Sequence, residues 1–253
     1  MVSTPLTNPL FSVAKLNAFK NTTLLLKIVG MWKFKTESIF YKIYKHVMVL
    51  HASFACVLSF LYALKKYKDP EAIFFISYLP AIFTVPIKLV MFPINSGKIK
   101  QLLELLAAEK AIIRSAQQEE ILENAMKLSR QIFNLFGGSF VAAAIVILVT
   151  PLSVRSHVMM YYEWFPVDYS KDSVYYGIFG GSLYFLLHLI AVNAAGDFFF
   201  YISAIQIEGR FDLIVDTFLN LDEISARDGN STKYERMHEI VIECVQQYNI
   251  IIE

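Results

Sequence analysis

Four stretches of the chain are almost uninterruptedly apolar, and the segments between them are polar with helical periodicity. The first covers residues 44–64, with Lys42 and Lys45 at its start and Lys65, Lys66 and Lys68 beyond its end. The second covers 72–92 and contains Pro80 and Pro86; the third covers 132–152; the fourth covers 175–207. The first three each match the roughly 20 residues that carry a helix across a hydrocarbon core of about 30 Å. A proline inside a span removes one backbone bond and kinks the helix, which a bundle tolerates where neighbours cover the break. The fourth stretch is too long, because at about 1.5 Å per residue it reaches roughly 50 Å. Its later part, 198–207, is therefore expected to continue beyond the membrane as a helix that is apolar because it packs on protein, namely the tail helices.

The polar segments repeat at helical spacing. Ile99, Leu102, Leu103, Leu106 and Ile113 form one face, and Leu122, Met126 and Phe133 carry a similar face into the third span. In the tail, Met237, Val241, Cys244, Tyr248 and Ile251 step by four and three alternately, a coiled-coil-like seam. Thr232 and Glu235 form a capping box at its start. The seam reaches Glu253 without a helix stop signal, so the chain reads as part of something longer. The pattern predicts an all-α integral membrane helical bundle: four transmembrane helices with long cytosolic helical extensions. Residues 1–43 form a cytosolic amino-terminal segment, 44–207 the membrane region, and 208–253 cytosolic amphipathic helices cut off before further spans.

Composition agrees with this: 56% of residues are hydrophobic and 18% charged, and they segregate into the runs above. The net charge of +1 and the lack of a basic block interleaved with aromatics give no sign of a nucleic-acid partner. Cys56 and Cys244 lie in regions of opposite character and are not expected to pair. No signal peptide is apparent, since the apolar run at 24–29 is short and contains Lys27. Lysine and arginine placement sets the orientation. One side takes seven in residues 1–45, six in 93–131, four after 207, and Lys88 by snorkelling; the other takes only Lys65, Lys66, Lys68, Arg155 and Lys171. The amino terminus is thus predicted to be cytoplasmic. The glycosylation sequons at Asn21 and Asn230 fall on that side and should carry no sugar.

The fourth span holds the unusual chemistry: His188, Asn193 and Asp197 inside an otherwise apolar run. Crossing takes residues 178–195, which puts Asp197 at the inner boundary, where most of the roughly 2.5–3.5 kcal/mol cost of a mid-bilayer charge disappears. Asn193 and Asp197 are four apart and share a face; His188 points to the opposite side. The expected role of Asn193 and Asp197 is structural, as interhelical hydrogen bonds. His188 is open to two readings, structural or facing a ligand cavity. Gly177 and Gly181, and Ala191 and Ala195, have the spacing of close helix contacts. The chain contains no phosphate-binding loop, zinc-protease motif or nucleophile elbow, and Asp197 is the only acid within the spans. An intramembrane protease needs two carboxylates sharing a proton, so an enzyme is not expected, nor are a cofactor and a metal.

Three stretches carry a family likeness: "LLLKIVGMW" at 24–32, "YYEWFPVDYSKDSVYYGIF" at 161–179, and the run from His188 past Asp197 to Phe211. In this order and topology the chain resembles the insect odorant receptors. That resemblance implies seven spans in the plasma membrane with the amino terminus cytoplasmic, and a cation channel in olfactory neurons gated by small volatile odorants. It implies a co-receptor subunit in a hetero-oligomeric channel, membrane lipid around it, and truncation here before the fifth span and the pore-lining part. By the same resemblance the odorant pocket draws on the outer halves of the spans. The positions are Phe74, Phe75, Tyr78 and Leu79 in the second, Ile145 and Val149 in the third, and Tyr176, Phe179, Gly180, Leu183, Tyr184 and His188 in the fourth. Aromatics at helical spacing also serve packing, so each has that second reading. A gustatory-type chemosensory channel shares the expected fold. A G-protein-coupled receptor would place the amino terminus outside.

Overall fold

The computed structural model describes residues 18–68, 76, 78–106, 111–153, 171–226 and 232–252, and all regular structure among them is helical. In chain order the helices are α1 (Lys20–Ile28), α2 (Ile39–Lys66), α3 (Leu79–Ile94), α4 (Ser96–Leu105), α5 (Ala116–Ser153), α6 (Asp172–Leu219), α7 (Leu221–Ala226) and α8 (Lys233–Ile252). Among the described residues, α2 and the stretch Ser173–Leu219 are long and apolar enough to cross a membrane. Together α3 and α4 form a third candidate, bent by 71° where they meet. The third predicted span, 132–152, lies within α5. The outer-loop motif falls mostly outside the described residues, as do Phe74, Phe75 and Asn230.

The described residues divide into two compact units. One takes in Asn21–Ile99 and Asn134–Phe199; the other takes in the described parts of Met1–Lys20, Lys100–Phe133 and Phe200–Glu253.

In the first unit, the "LLLKIVGMW" stretch is a helix end with complete caps. Gly30 sits at φ +83° just past α1, the left-handed conformation that glycine adopts without penalty. The Met31 amide donates to the Leu26 carbonyl at 2.9 Å and the Gly30 amide to Lys27 at 3.4 Å, the Schellman pattern. Two tyrosines from α2 finish the job. The Tyr44 hydroxyl donates to the Ile28 carbonyl at 2.7 Å, and the Tyr41 hydroxyl lies 2.9 Å from the Lys27 carbonyl and 3.2 Å from that of Trp32. Lys27 rests over the Trp32 and Phe34 rings. Ser38 caps α2, accepting from the Tyr41 amide at 3.2 Å. Burial alone would raise the Glu37 carboxyl, but the Lys45 ammonium at 2.7 Å and the Phe34 amide hold it below the usual carboxylate range. A Cβ at position 30 would also meet the Tyr44 ring at 3.3 Å. Gly30→Ala is therefore expected to cost about 1–2 kcal/mol through left-handed strain, read as a lowered thermal midpoint of the purified chain.

In the second unit, Phe19, Leu106 and Ile202 form a buried cluster, flanked by Leu102, Leu103, Phe133 and Ile207. A further cluster unites Ile214, Ile240 and Cys244 with Phe211, Leu221, Ile224 and Ile251. Two expectations need correction here. Ile202 and Ile207, within the predicted cytosolic extension, pack on the 102–106 and Phe133 face; the tail helix packs on residues 211–224 instead. The tail seam contributes Cys244, Tyr248 and Ile251 to this packing, but it is incomplete, because the residue buried completely is Ile240, outside the predicted set. The reason is the partner's position: α8 packs on residues of both α6 and α7, namely Phe211, Ile214, Leu221 and Ile224. The capping box forms as the sequence predicts, with the Thr232 amide donating to Glu235 Oε2 at 3.2 Å and the Glu235 amide to Thr232 Oγ1 at 3.4 Å.

Candidate ligand site on the fourth predicted span

Helix α6 contributes residues 172–199 to the first unit, and the candidate ligand residues lie there. Tyr176, Phe179, Gly180, Leu183, Tyr184 and His188 recur at three- and four-residue steps and so share one broad face. Tyr176 is exposed, Phe179 half-buried against the Tyr175 ring at 5.6 Å, and Leu183 half-buried. A Cβ added at Gly180 would meet nothing within 4 Å, and neither would one at Gly177 or Gly181. The close contacts expected of Gly177 and Gly181 are thus absent from the described residues. Close approach occurs further along, at Gly196 against Lys88 and at Gly209 against Ala125, because that is where other helices cross α6.

The face ends in a knot of rings. His188 is buried and stacks on Tyr184, with ring centroids 6.2 Å apart and planes 1° apart. His188 Nε2 lies 3.5 Å from the Val29 carbonyl oxygen. A carbonyl only accepts, so Nε2 carries the hydrogen and Nδ1 presents a lone pair. The Tyr184 hydroxyl donates to Met48 Sδ at 3.3 Å. His51 stands 5.6 Å from the Tyr184 ring and edge-on to Phe185 at 5.4 Å, with Phe185 almost wholly buried. Nδ1 of both imidazoles is buried without a hydrogen-bond partner. Met48 and His51, three apart on α2, escape a sequence reading that looks only at the fourth span. A histidine in the middle of the first apolar run was the available signal.

The polar pair beyond His188 meets the second predicted span. Lys88 Nζ donates to Asn193 Oδ1 and to Asp197 Oδ1, each at 2.9 Å. Lys88 is therefore an ion-pair partner of Asp197 and does not snorkel away alone. Lys88 reaches α6 because residue 196 is glycine, where a Cβ would come within 3.2 Å of the Lys88 stem. The remaining expected ligand residues, Tyr78, Ile145 and Val149, are exposed in the isolated chain, and Leu79 is half-buried at the start of α3. No group of three His, Cys, Asp or Glu side chains among the described residues is placed to hold a metal ion.

A family model described as 7tm Odorant receptor matches residues 70–253. No curated protein matches the chain. Among solved structures, the insect olfactory receptor OR5 from Machilis hrabei is similar at a TM-score of 0.70 and 15% identity, over 92% of this chain and 63% of that one. The same receptor in complex with eugenol is similar at 0.69 and 14%, over 94% and 65%. At such identities the likeness is one of fold. The chain spans less than two thirds of the receptor it resembles.

Proposed function

Because the chain belongs to the 7tm odorant receptor family, a family of multi-pass membrane receptors and not of enzymes, we propose that it is the odorant-binding part of a ligand-gated cation channel in olfactory neurons. The observation that carries this reading is the family match across 70–253, the part of the chain that contains the candidate ligand face. Channel opening belongs to the longer assembly, with a co-receptor subunit as partner in the plasma membrane. The excess of basic residues in 1–45, 93–131 and after 207 supports an amino terminus in the cytoplasm.

The chemistry of the face supports a small volatile ligand. Phe179, Leu183 and Tyr184 offer apolar and aromatic surface, with Gly180 leaving open space between them. In this reading Tyr78 before α3, Leu79 at its start, Ile145 and Val149 on α5, and Tyr176 contribute further apolar contacts to the odorant, and His188 one hydrogen-bonding atom. Burial of a volatile against such surface contributes roughly 25 cal/mol per Å². The complex of the similar Machilis receptor with eugenol is consistent with a ligand of that size.

The test expresses the full-length protein with the co-receptor and records currents under an odorant panel while G-protein signalling is blocked. The expected result is a current that survives the block. Leu183→Ala should raise the half-maximal odorant concentration by about tenfold, the weight of a leucine side chain covered by the bound odorant. A response abolished by the block, or sugar on Asn21, points instead to a G-protein-coupled receptor with its amino terminus outside.

A further inference from the structure

Pro86 sits inside α3 and has no amide hydrogen, so the carbonyl of Ile82, four residues earlier, loses its helical partner. Cys56 on α2 supplies a substitute, its thiol donating to the Ile82 carbonyl at 3.5 Å. Asn193 grips the same helix on both sides of the proline. Before it, Asn193 Nδ2 donates to the Ala81 carbonyl at 3.4 Å, and the Thr84 hydroxyl lies 3.2 Å from Asn193 Oδ1. After it, Lys88 bonds both Asn193 and Asp197 at 2.9 Å. One asparagine thus spans the weakened turn, and the Lys88–Asp197 ion pair anchors its far side.

We propose that Asn193, Asp197 and Lys88 form a splint that fixes the turn of α3 weakened by Pro86. Asn193 and Lys88 are then positioning residues for the odorant response, acting through the angle at which α3 carries Tyr78 and Leu79. Three features make this more than helix contact. The polar atoms bracket the turn that Pro86 deprives of its backbone bond. Gly196 is open just where the Lys88 stem must cross. The stripped carbonyl is held by a weak thiol donor, so its own turn is weakly closed. A proline turn held mainly by side chains from another helix is a place where a small change in those side chains alters the angle.

Cys56 is the reporter. It is buried, with its thiol on the Ile82 carbonyl, and alkylation requires local opening. Timed labelling of the full-length protein in native membranes with N-ethylmaleimide, followed by peptide mass spectrometry, reads Cys56 separately from Cys244. Lys88→Met and Asn193→Leu are expected to label Cys56 about tenfold faster, and Lys88→Arg within about twofold of the parent. The exchange Lys88→Asp with Asp197→Lys should recover most of the protection. Unchanged labelling in Lys88→Met and Asn193→Leu overturns the splint. Should those variants not reach the membrane, Thr84→Val and Gly196→Ala carry the same expectation at about two- to threefold, and unchanged labelling in both overturns it equally.

The odorant arm rests on the proposed channel function. There, Lys88→Met and Asn193→Leu shift the half-maximal odorant concentration, and Lys88→Arg restores it. A parent protein that gives no current while Cys56 behaves as expected removes the channel reading and keeps the splint. A normal odorant response in variants with unprotected Cys56 removes the positioning role.

Discussion

Gln118→Leu is expected to destabilise the chain by about 3 kcal/mol, the largest single loss foreseen for a polar substitution. Gln118 is fully buried, and every polar atom of its side chain is used. Its amide nitrogen donates to Asp216 Oδ2 and Thr217 Oγ1, both at 3.0 Å, and its oxygen accepts from the Arg114 amide at 2.8 Å. Leucine matches the volume but strands a buried carboxylate. Asp216 Oδ1 keeps the Asn220 amide at 2.9 Å, whereas Oδ2 loses its donor. A hydrogen bond to a charged group contributes roughly 1.5–3 kcal/mol, and the orphaned Arg114 amide adds to that. Thr217 stays satisfied through the Leu213 carbonyl at 2.7 Å. The check is a thermal melt of the detergent-solubilised protein, where a loss of this size lowers the midpoint by roughly 6–12 °C. A shift under a third of that means solvent reaches Asp216 and the network is not sealed.

Ile240→Ala is expected to cost about 2–5 kcal/mol, the range for emptying a packed aliphatic site. Ile240 has no exposed surface, and it locks α8 onto Ile214, with Phe211, Leu221 and Ile224 around it. The other holds on α8 are weaker. Phe211 and Tyr248 meet edge to face at 6.0 Å, and Arg114 pairs with Glu243. Losing the central contact should release the helix before the rest unfolds. Limited proteolysis checks this: cleavage between α7 and α8 should speed up markedly, while Tyr234→Ala, at a position 83% exposed, should leave the rate within experimental scatter. Equal proteolysis of the two variants would mean that α8 is retained by its surface ion pairs.

These two residues also mark where a sequence reading runs out. Gln118 looks like an ordinary polar residue in the first turns of a long helix, and nothing nearby foretells Asp216. Ile240 lies one position off the seam that alternating steps of four and three pick out. Periodicity gives the direction of a side chain around its own axis; it does not give the angle at which a neighbour approaches, and α8 buries Ile240 against α6 and α7 together with the seam residues Cys244 and Ile251. The candidate ligand face was legible in a similar, limited way. Tyr184 and His188 share a face by spacing alone, yet Met48, His51 and Val29 come to them from more than 100 residues away. Likewise Asn193 and Asp197 were expected to bond another helix, but Lys88 read as a residue escaping to the membrane surface.

By itself the sequence determined the helical class, the apolar runs and the local ends. Apolar segments of bilayer length, a Thr-x-x-Glu box and a glycine after α1 act within a few residues, so their free energy is set before any helix meets another. The tertiary structure alone decided the pairings: Lys88 with Asp197 and Asn193, Cys56 with the carbonyl freed by Pro86, and open space at Gly177 and Gly181 where close packing was expected. A polar atom taken out of water must find a partner, but its type does not say which one. That choice is fixed only when helices distant in sequence settle at one distance and one angle.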